Sequence, residues 1–265
     1  MRIRLAAIAL AALGLAGCMG DEPAPAPVET TPPLARLRII FPEGFTRREM
    51  ADRVDAVRQI AIDKRGVTPR LTKTGYLEAS GAAVLPAEFR KDVKLSSSEG
   101  FLFPATYEFT KLTPSERLVR DQLRAFRRSW RKVDLRYARS KNLTPYDVLI
   151  IASMIEKETV VAAERRLVAA VIYNRLRNRM PLGIDATIRY GRDVPGTEPL
   201  KQSDLASDDP YNTRRRLGLP PTPIANPARV DYLYFVRKGE SNRHFFTASE
   251  AEFCAKSLEY GFGGC

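Results

Sequence analysis

Apolar positions along this chain change period several times, and each change marks an element. Leu37-Arg-Ile-Ile-Phe41 alternates as a short β-strand does. Pro42-Glu-Gly-Phe-Thr46 is a turn. Thr46 with Glu49 three residues on makes a capping box, and Met50, Val54, Val57, Ile60 and Ala61 follow as one apolar helical face. Together these predict a small α/β module ending near residue 95. The loop Ser96–Gly100 leads into Phe101-Leu-Phe-Pro-Ala-Thr-Tyr-Glu-Phe109, whose aromatic residues gather around Pro104 as a packing corner. Pro114 then opens a helix with Leu118, Leu123, Phe126 and Trp130 inward. Arg117, Arg120, Arg124, Arg127, Arg128 and Arg131 cover the rest of it.

The most apolar helical run begins at Thr144, a good N-cap, with Pro145 at the first helical position and Asp147 in the first turn. Val148 to Ile155 is apolar nearly all round, which predicts the central buried helix. Two carboxylates, Glu156 and Glu158, close the run. On a continuing helix Glu158 has Met154, Ile155, Val161 and Ala162 as neighbours and no cation among them. A carboxyl on such an apolar stripe loses hydration and becomes a usable proton donor. Glu156 lies about 200° around the helix from Glu158, so the two do not face one cleft. A second helix is predicted over about 163–180, with Leu167, Val168, Val171, Ile172 and Leu176 inward. Ile184–Tyr190 reads as a strand or extended segment. Residues 208–213 and 218–227 are turn-rich loops, and Tyr232–Val236 with His244–Thr247 reads as a β-hairpin. The fold class is therefore α+β.

The ends and the charge add a compartment. Arg2 and Arg4 precede an apolar run from Leu5 to Ala16, too short for a bilayer, which needs roughly 20 residues, and suited to a signal peptide over residues 1–17. Leu15-Ala-Gly-Cys18 resembles a bacterial lipobox, which would make Cys18 the acylated first mature residue. An ordinary cleaved signal that contains a cysteine is the alternative. Residues 18–36 are Pro-rich and form an extended tether. Cys254 and Cys265 are left as an even pair, either a disulfide or two thiols. A single histidine excludes a His-rich metal site, and no cofactor or metal is expected. The net charge is +12, and +10 once the two arginines of residues 1–17 are removed. Such a balance seeks polyanions. Export removes nucleic acid and leaves wall polymer or membrane surface.

Eight segments, in order, resemble the MltG/YceG family of endolytic peptidoglycan transglycosylases: Ile40–Thr46, Glu99–Tyr107, Ala152–Thr159, Tyr173–Leu176, Asp185–Gly191, Pro210–Thr213, Gly218–Pro221 and Tyr232–Val236. The resemblance implies a LysM-like subdomain at 37–95 and a catalytic domain at 96–265, with a lysozyme-like placement of the glutamate on its central helix. It also implies cleavage of the bond between N-acetylmuramic acid and N-acetylglucosamine in nascent strands, leaving 1,6-anhydro-muramic ends. Implied partners are glycan strands and peptidoglycan synthases, and the family's role favours the inner membrane; attachment by an N-terminal lipid, facing the periplasm, is the expectation from the lipobox-like motif at Cys18. The Glu-Thr register points to Glu158 as the catalytic acid, with Glu156 supporting.

Asn174, Arg175, Asp185, Tyr211, Asn212 and Thr213 are candidates to hold sugar and acetamide, or else turn-forming residues. Arg175 is a candidate partner for a substrate carboxylate, Glu164 or Asp185. One carboxyl group suffices for the lyase reaction, unlike two-carboxylate hydrolysis. Three features depart from the family: Asp185-Ala186-Thr187 stands where Asp-Pro-Thr is usual, the chain is short between Asn226-Pro227 and Tyr232, and the N-terminus carries a lipobox-like motif where a transmembrane helix is usual. A lysozyme-type hydrolase using Glu158 with Asp185, or an inactive wall-binding lipoprotein, are the rival readings.

Overall fold

The computed structural model describes residues 34–92, 97–159, 164–228, 234–237, 244–247 and 250–260. The leader, the lipobox at Cys18 and most of the tether lie outside the described residues, as does Cys265. Among the described residues no helix is long and apolar enough to cross a membrane.

Residues 34–265 form one compact unit. Its first strand, β1 (Leu37–Ile40), buries Leu37 and Ile39 and turns Arg38 and Ile40 outward, the two-residue period seen in the sequence. Its partner is β2 (Thr106–Phe109), antiparallel, with Leu37 opposite Phe109 and Ile39 opposite Tyr107. The outward pair Arg38 and Glu108 adds an exposed ion pair at 3.4 Å, which contributes little.

Between the strands lie α1 (Arg47–Arg65) and α2 (Lys73–Gly81). The capping box expected at Thr46 is present: the Glu49 amide donates to the Thr46 hydroxyl, and the Thr46 amide donates to the Glu49 carboxylate. Met50, Ala51, Val54 and Ala61 are the buried face. Ile60 was expected on it but falls off the stripe and is 60% exposed. The strand that completes this β-α-α-β arrangement lies past residue 95, so the sheet straddles the boundary expected there.

Helix α3 (Ser115–Trp130) packs on α2 with Leu118, Leu123, Phe126 and Trp130 buried, as its pattern requires. Tyr76 of α2 donates to the Gln122 carbonyl at 2.7 Å, and Gln122 in turn lies against Met50 of α1. A short α4 (Arg136–Ser140) leads to α5 (Pro145–Glu158), whose residues Tyr146 to Ile155 are all buried. The Thr144 and Asp147 capping box fixes its start.

An aromatic cluster joins α3 to α5. Phe101 sits 4.8 Å from Phe89 and 5.0 Å from Phe126, and stacks on Tyr146 at 6.2 Å. Trp130 lies 4.8 Å from Phe89. Gly100 precedes this hub at φ +89, and a Cβ there would come within 2.8 Å of the Pro223 ring, so the backbone approach requires glycine.

Beyond α5 come α6 (Arg165–Arg177), α7 (Asp185–Arg192) and α8 (Gln202–Leu205), then the hairpin of β3 (Tyr234–Arg237) and β4 (His244–Thr247), and α9 (Glu250–Glu259). The hairpin pairs antiparallel, Phe235 opposite Phe246. Two expectations need correcting. The segment at 184–190 is a helix: Ile184 and Ile188 bury at a spacing of four, with Thr187 between them, and that packing overrides the strand preference of its β-branched residues. On α6 the inward face is Arg165, Ala169, Ile172 and Tyr173, while Leu167 and Val171 are 50% and 47% exposed. The phase of that helix is set by burying small alanines against α5 rather than its larger aliphatics.

Phe101→Ala empties the centre of the aromatic cluster. It is expected to lower the unfolding free energy by about 3–5 kcal/mol, read as a reduced midpoint in urea unfolding with unchanged slope.

Candidate active site at the end of the buried helix

Helix α5 is enclosed for ten residues, so its first side chains free to do chemistry lie at its C-terminal end. The helix stops at Glu158. Thr159 is extended (φ −126, ψ 122), and its hydroxyl bonds back to the Ile155 carbonyl at 2.7 Å. This stop removes the apolar stripe expected around Glu158, which needed the helix to run on to residues 161 and 162. Those residues lie outside the described ones, and Glu158 itself is exposed.

Glu156 is the enclosed carboxylate. Its side chain is 6% exposed, and Arg165 at the start of α6 donates to it at 3.1 Å. The same guanidinium reaches Glu43 at 3.4 Å. Lys157 between the two glutamates donates to the Gly44 carbonyl at 3.3 Å. The turn at 43–46 therefore abuts the end of α5, and Gly44 there takes φ +76 with the Glu156 side chain against it. The three residues leave the helix about 100° apart: Glu156 to α6, Lys157 to the turn, Glu158 to solvent.

A second buried carboxylate, missed in the sequence, secures that turn. Both oxygens of Glu99 accept from the Arg47 amide at 3.0 Å. Asn226 donates to Glu99 at 2.7 Å, and the Tyr190 hydroxyl of α7 donates at 3.3 Å. Asn226 also donates to the Phe45 carbonyl at 2.9 Å and accepts from the Leu102 amide at 2.8 Å. Its backbone bonds Gly44 and Phe45. Burial pushes the Glu99 carboxyl up to about 7, against the donors from Arg47, Tyr190 and Asn226. Sequence spacing held no signal for this clamp, because its partners lie 52, 91 and 127 residues away.

The remaining candidates divide. Asn212 is fully buried, with its amide donating to the Leu205 and Ser207 carbonyls at 3.0 and 2.7 Å. Thr213 is buried too, its hydroxyl accepting from the Ile184 amide at 3.0 Å. Both hold loops together. Arg175 donates to the Leu182 carbonyl, which is neither of the protein partners expected for it. Asp185, half exposed, is paired with Arg214 at 2.7 Å. Tyr211 bonds Thr222 at 2.8 Å and lies 5.1 Å from the Tyr190 ring. Asn174 is exposed on α6. Cys254 is disulfide-bonded.

The enclosed helix α5 thus ends with Glu156 held by Arg165 and Glu158 exposed. The model of the YceG-like family matches residues 27–258, and the chain belongs to that family. It is 30% identical over 234 residues to an endolytic murein transglycosylase of Streptococcus pneumoniae strain R6, covering 83% of this chain and 42% of that protein. It is 35% identical over 162 residues to an endolytic murein transglycosylase of Bacillus subtilis strain 168, covering 57% of this chain and 44% of that protein. The chain thus spans less than half the length of these relatives. A YceG-like protein of Listeria monocytogenes, known by crystal structure, superposes with a TM-score of 0.58 at 26% identity, over 81% of this chain and 74% of that one.

The two glutamates of α5 should separate in stability. Glu156→Gln leaves the buried Arg165 with Glu43 as its remaining carboxylate and costs about 1.5–3 kcal/mol, whereas Glu158→Gln stays within about 0.5 kcal/mol of wild type; thermal and urea unfolding of both check this. Glu99 sets a pH dependence. The folded protein holds its proton more tightly than the unfolded chain does, whose ordinary value is 4.5. Its contribution to stability is therefore full below about 4.5, falls as pH rises, and is lost above about 7, a change of about 3 kcal/mol. In Glu99→Gln that slope between pH 5 and 7 is expected to vanish from unfolding curves.

Proposed function

We propose that this chain is an endolytic murein transglycosylase with Glu158 as its single catalytic acid and base. The observation that carries the reading is the division at the end of α5: Glu156 is enclosed in an ion pair with Arg165, and Glu158 is exposed. A proton donor cannot serve from inside a salt bridge, and it must reach the glycosidic oxygen. Glu158 meets both conditions. Because the helix does not shield it, the desolvation that favours its protonated form has to come from the glycan strand laid over it.

In the reaction Glu158 donates its proton to the oxygen linking muramic acid to glucosamine as that bond breaks through an oxocarbenium-like state. The carboxylate so formed takes the proton of the muramic 6-hydroxyl, whose oxygen bonds C1 of the same sugar. The products are a free 4-hydroxyl on the glucosamine and a 1,6-anhydro ring, with no water consumed. Asn174, Asp185 and Tyr211 are left to contact sugar and acetamide. Glu156 and Arg175 act as supports, and Asn212 and Thr213 hold the loops between them. The β-α-α-β arrangement from β1 to β2 supports a LysM-like glycan-binding role, extended to residue 109 rather than ending at 95. The leader with Cys18, followed by the Pro-rich tether, supports a lipid-anchored protein of the bacterial envelope acting on strands near their synthases. A bond between Cys254 and Cys265 would close the C-terminal tail.

Digestion of purified sacculi tests the reading. Wild type is expected to release fragments with 1,6-anhydro-muramic ends, and Glu158→Gln to lose at least about a thousandfold in rate. Reducing muramic ends would replace the lyase reading by hydrolysis, with Asp185 as second carboxylate. Equal release by both proteins would remove Glu158 from the catalytic role, and no release by wild type would favour a wall-binding protein.

A further inference from the structure

Helix α3 carries a surface that nothing in the catalytic reading uses. Arg117, Arg120, Arg124, Arg127 and Arg128, with Arg131 at its cap, are all exposed. At 100° per residue the six fall within an arc of about 100°. Leu118, Val119, Gln122, Leu123, Phe126 and Trp130 are buried on the other side. From Arg117 to Arg131 the ridge runs about 21 Å. Two carboxylates lie at its edges: Asp121 takes Arg117 and Arg124, each at 3.0 Å, and Glu116, exposed, stands four residues before Arg120. Arg120, Arg127, Arg128 and Arg131 have no ion-pair partner among the described residues. Like charges three and four residues apart on a helix repel, a repulsion that a bound anion relieves. The turn before the helix exposes Lys111 and Leu112 beside it.

We propose that this ridge docks on an anionic phospholipid surface. A convex helix face has no groove in which to grip a single polymer strand, but a plane of phosphates can meet all six guanidinium groups at once. Arginine suits that contact better than lysine, since its planar fork binds phosphate through two hydrogen bonds. Rows of four to eight basic residues on a helix are a recognised means of holding a protein to anionic lipid. The docking depends neither on the activity proposed above nor on acylation of Cys18.

The test uses the full chain carrying Cys18→Ser, so that no acyl group is attached, with and without Arg120→Gln, Arg127→Gln and Arg131→Gln. Co-sedimentation is measured with vesicles of equal parts phosphatidylglycerol and phosphatidylcholine, and with phosphatidylcholine alone. The leader segment is common to both proteins and cancels in the comparison. The triple variant is expected to bind the anionic vesicles about ten- to a hundredfold more weakly, with a shallower salt dependence, and to match the parent on phosphatidylcholine. Arg127→Gln alone should give a several-fold loss, an exposed single change that leaves the fold intact. Equal binding of parent and triple variant to anionic vesicles overturns the proposal. So does a loss confined to isolated sacculi, which would assign the ridge to wall polymer instead.

Discussion

The enclosure of α5 governs this molecule. Ten successive residues, Tyr146 to Ile155, have no face toward solvent, so every side of the helix must be matched by another element: the aromatic cluster under Tyr146, the alanine face of α6, α7, and the loop whose Ile224 amide donates to Ser153 at 3.0 Å. A helix with that many fixed neighbours does not rotate or slide without breaking several packings at once. It can offer chemistry at its tip alone, and there its position is set by the whole core rather than by a local loop.

Fixing the tip also requires closing the gap between the β-α-α-β arrangement and α5, and there polar contacts replace apolar ones. Glu99 and Asn226 tie the turn at 43–46 to the loop before Phe101, while Glu43 shares Arg165 with Glu156. Glu99 is an unusual clamp, since a fully buried carboxyl is retained where an amide could serve. Its partners explain the choice. Arg47, Tyr190 and Asn226 all present donors, and a carboxylate is the side chain with acceptor positions enough for all of them. A Gln amide would turn two of its own protons toward those donors. The desolvation that raises the Glu99 carboxyl is thus the cost of joining three elements at one point.

How far the sequence disclosed this depends on range. The capping boxes at Thr46 and Thr144, the strand at Leu37, the inward face of α3 and the hairpin were legible because their determinants sit within a few residues of one another. The helix at Asp185 was misread because its preference is decided by burial of Ile184 and Ile188, which a strand pattern mimics. The apolar stripe assigned to Glu158 failed for a related reason: periodicity shows where apolar residues lie, not where the helix ends, and extended Thr159 ended it. Glu156 and Glu158 were separable by angle, yet which one was enclosed depended on Arg165. Asn212 and Thr213 looked equally like ligands or turn formers, and only the carbonyls and amides around them decide it. Glu99 was invisible for want of any local partner.

The sequence Glu156-Lys157-Glu158 shows how little chain is needed to connect these constraints. Successive helix residues point about 100° apart, so three in a row cover most of the circumference of the tip. One reaches inward to α6, one sideways to the Gly44 carbonyl, and one outward. Were α5 to end a residue earlier, the direction of Glu158 would no longer be set by the helix. Were it to continue one turn, Glu158 would lie alongside Val161 and Ala162 on the wall of the helix instead of at its end. The extended Thr159, held by its own hydroxyl on the Ile155 carbonyl, therefore selects which of the three side chains is free. The placement of the proposed acid is a consequence of where the helix stops.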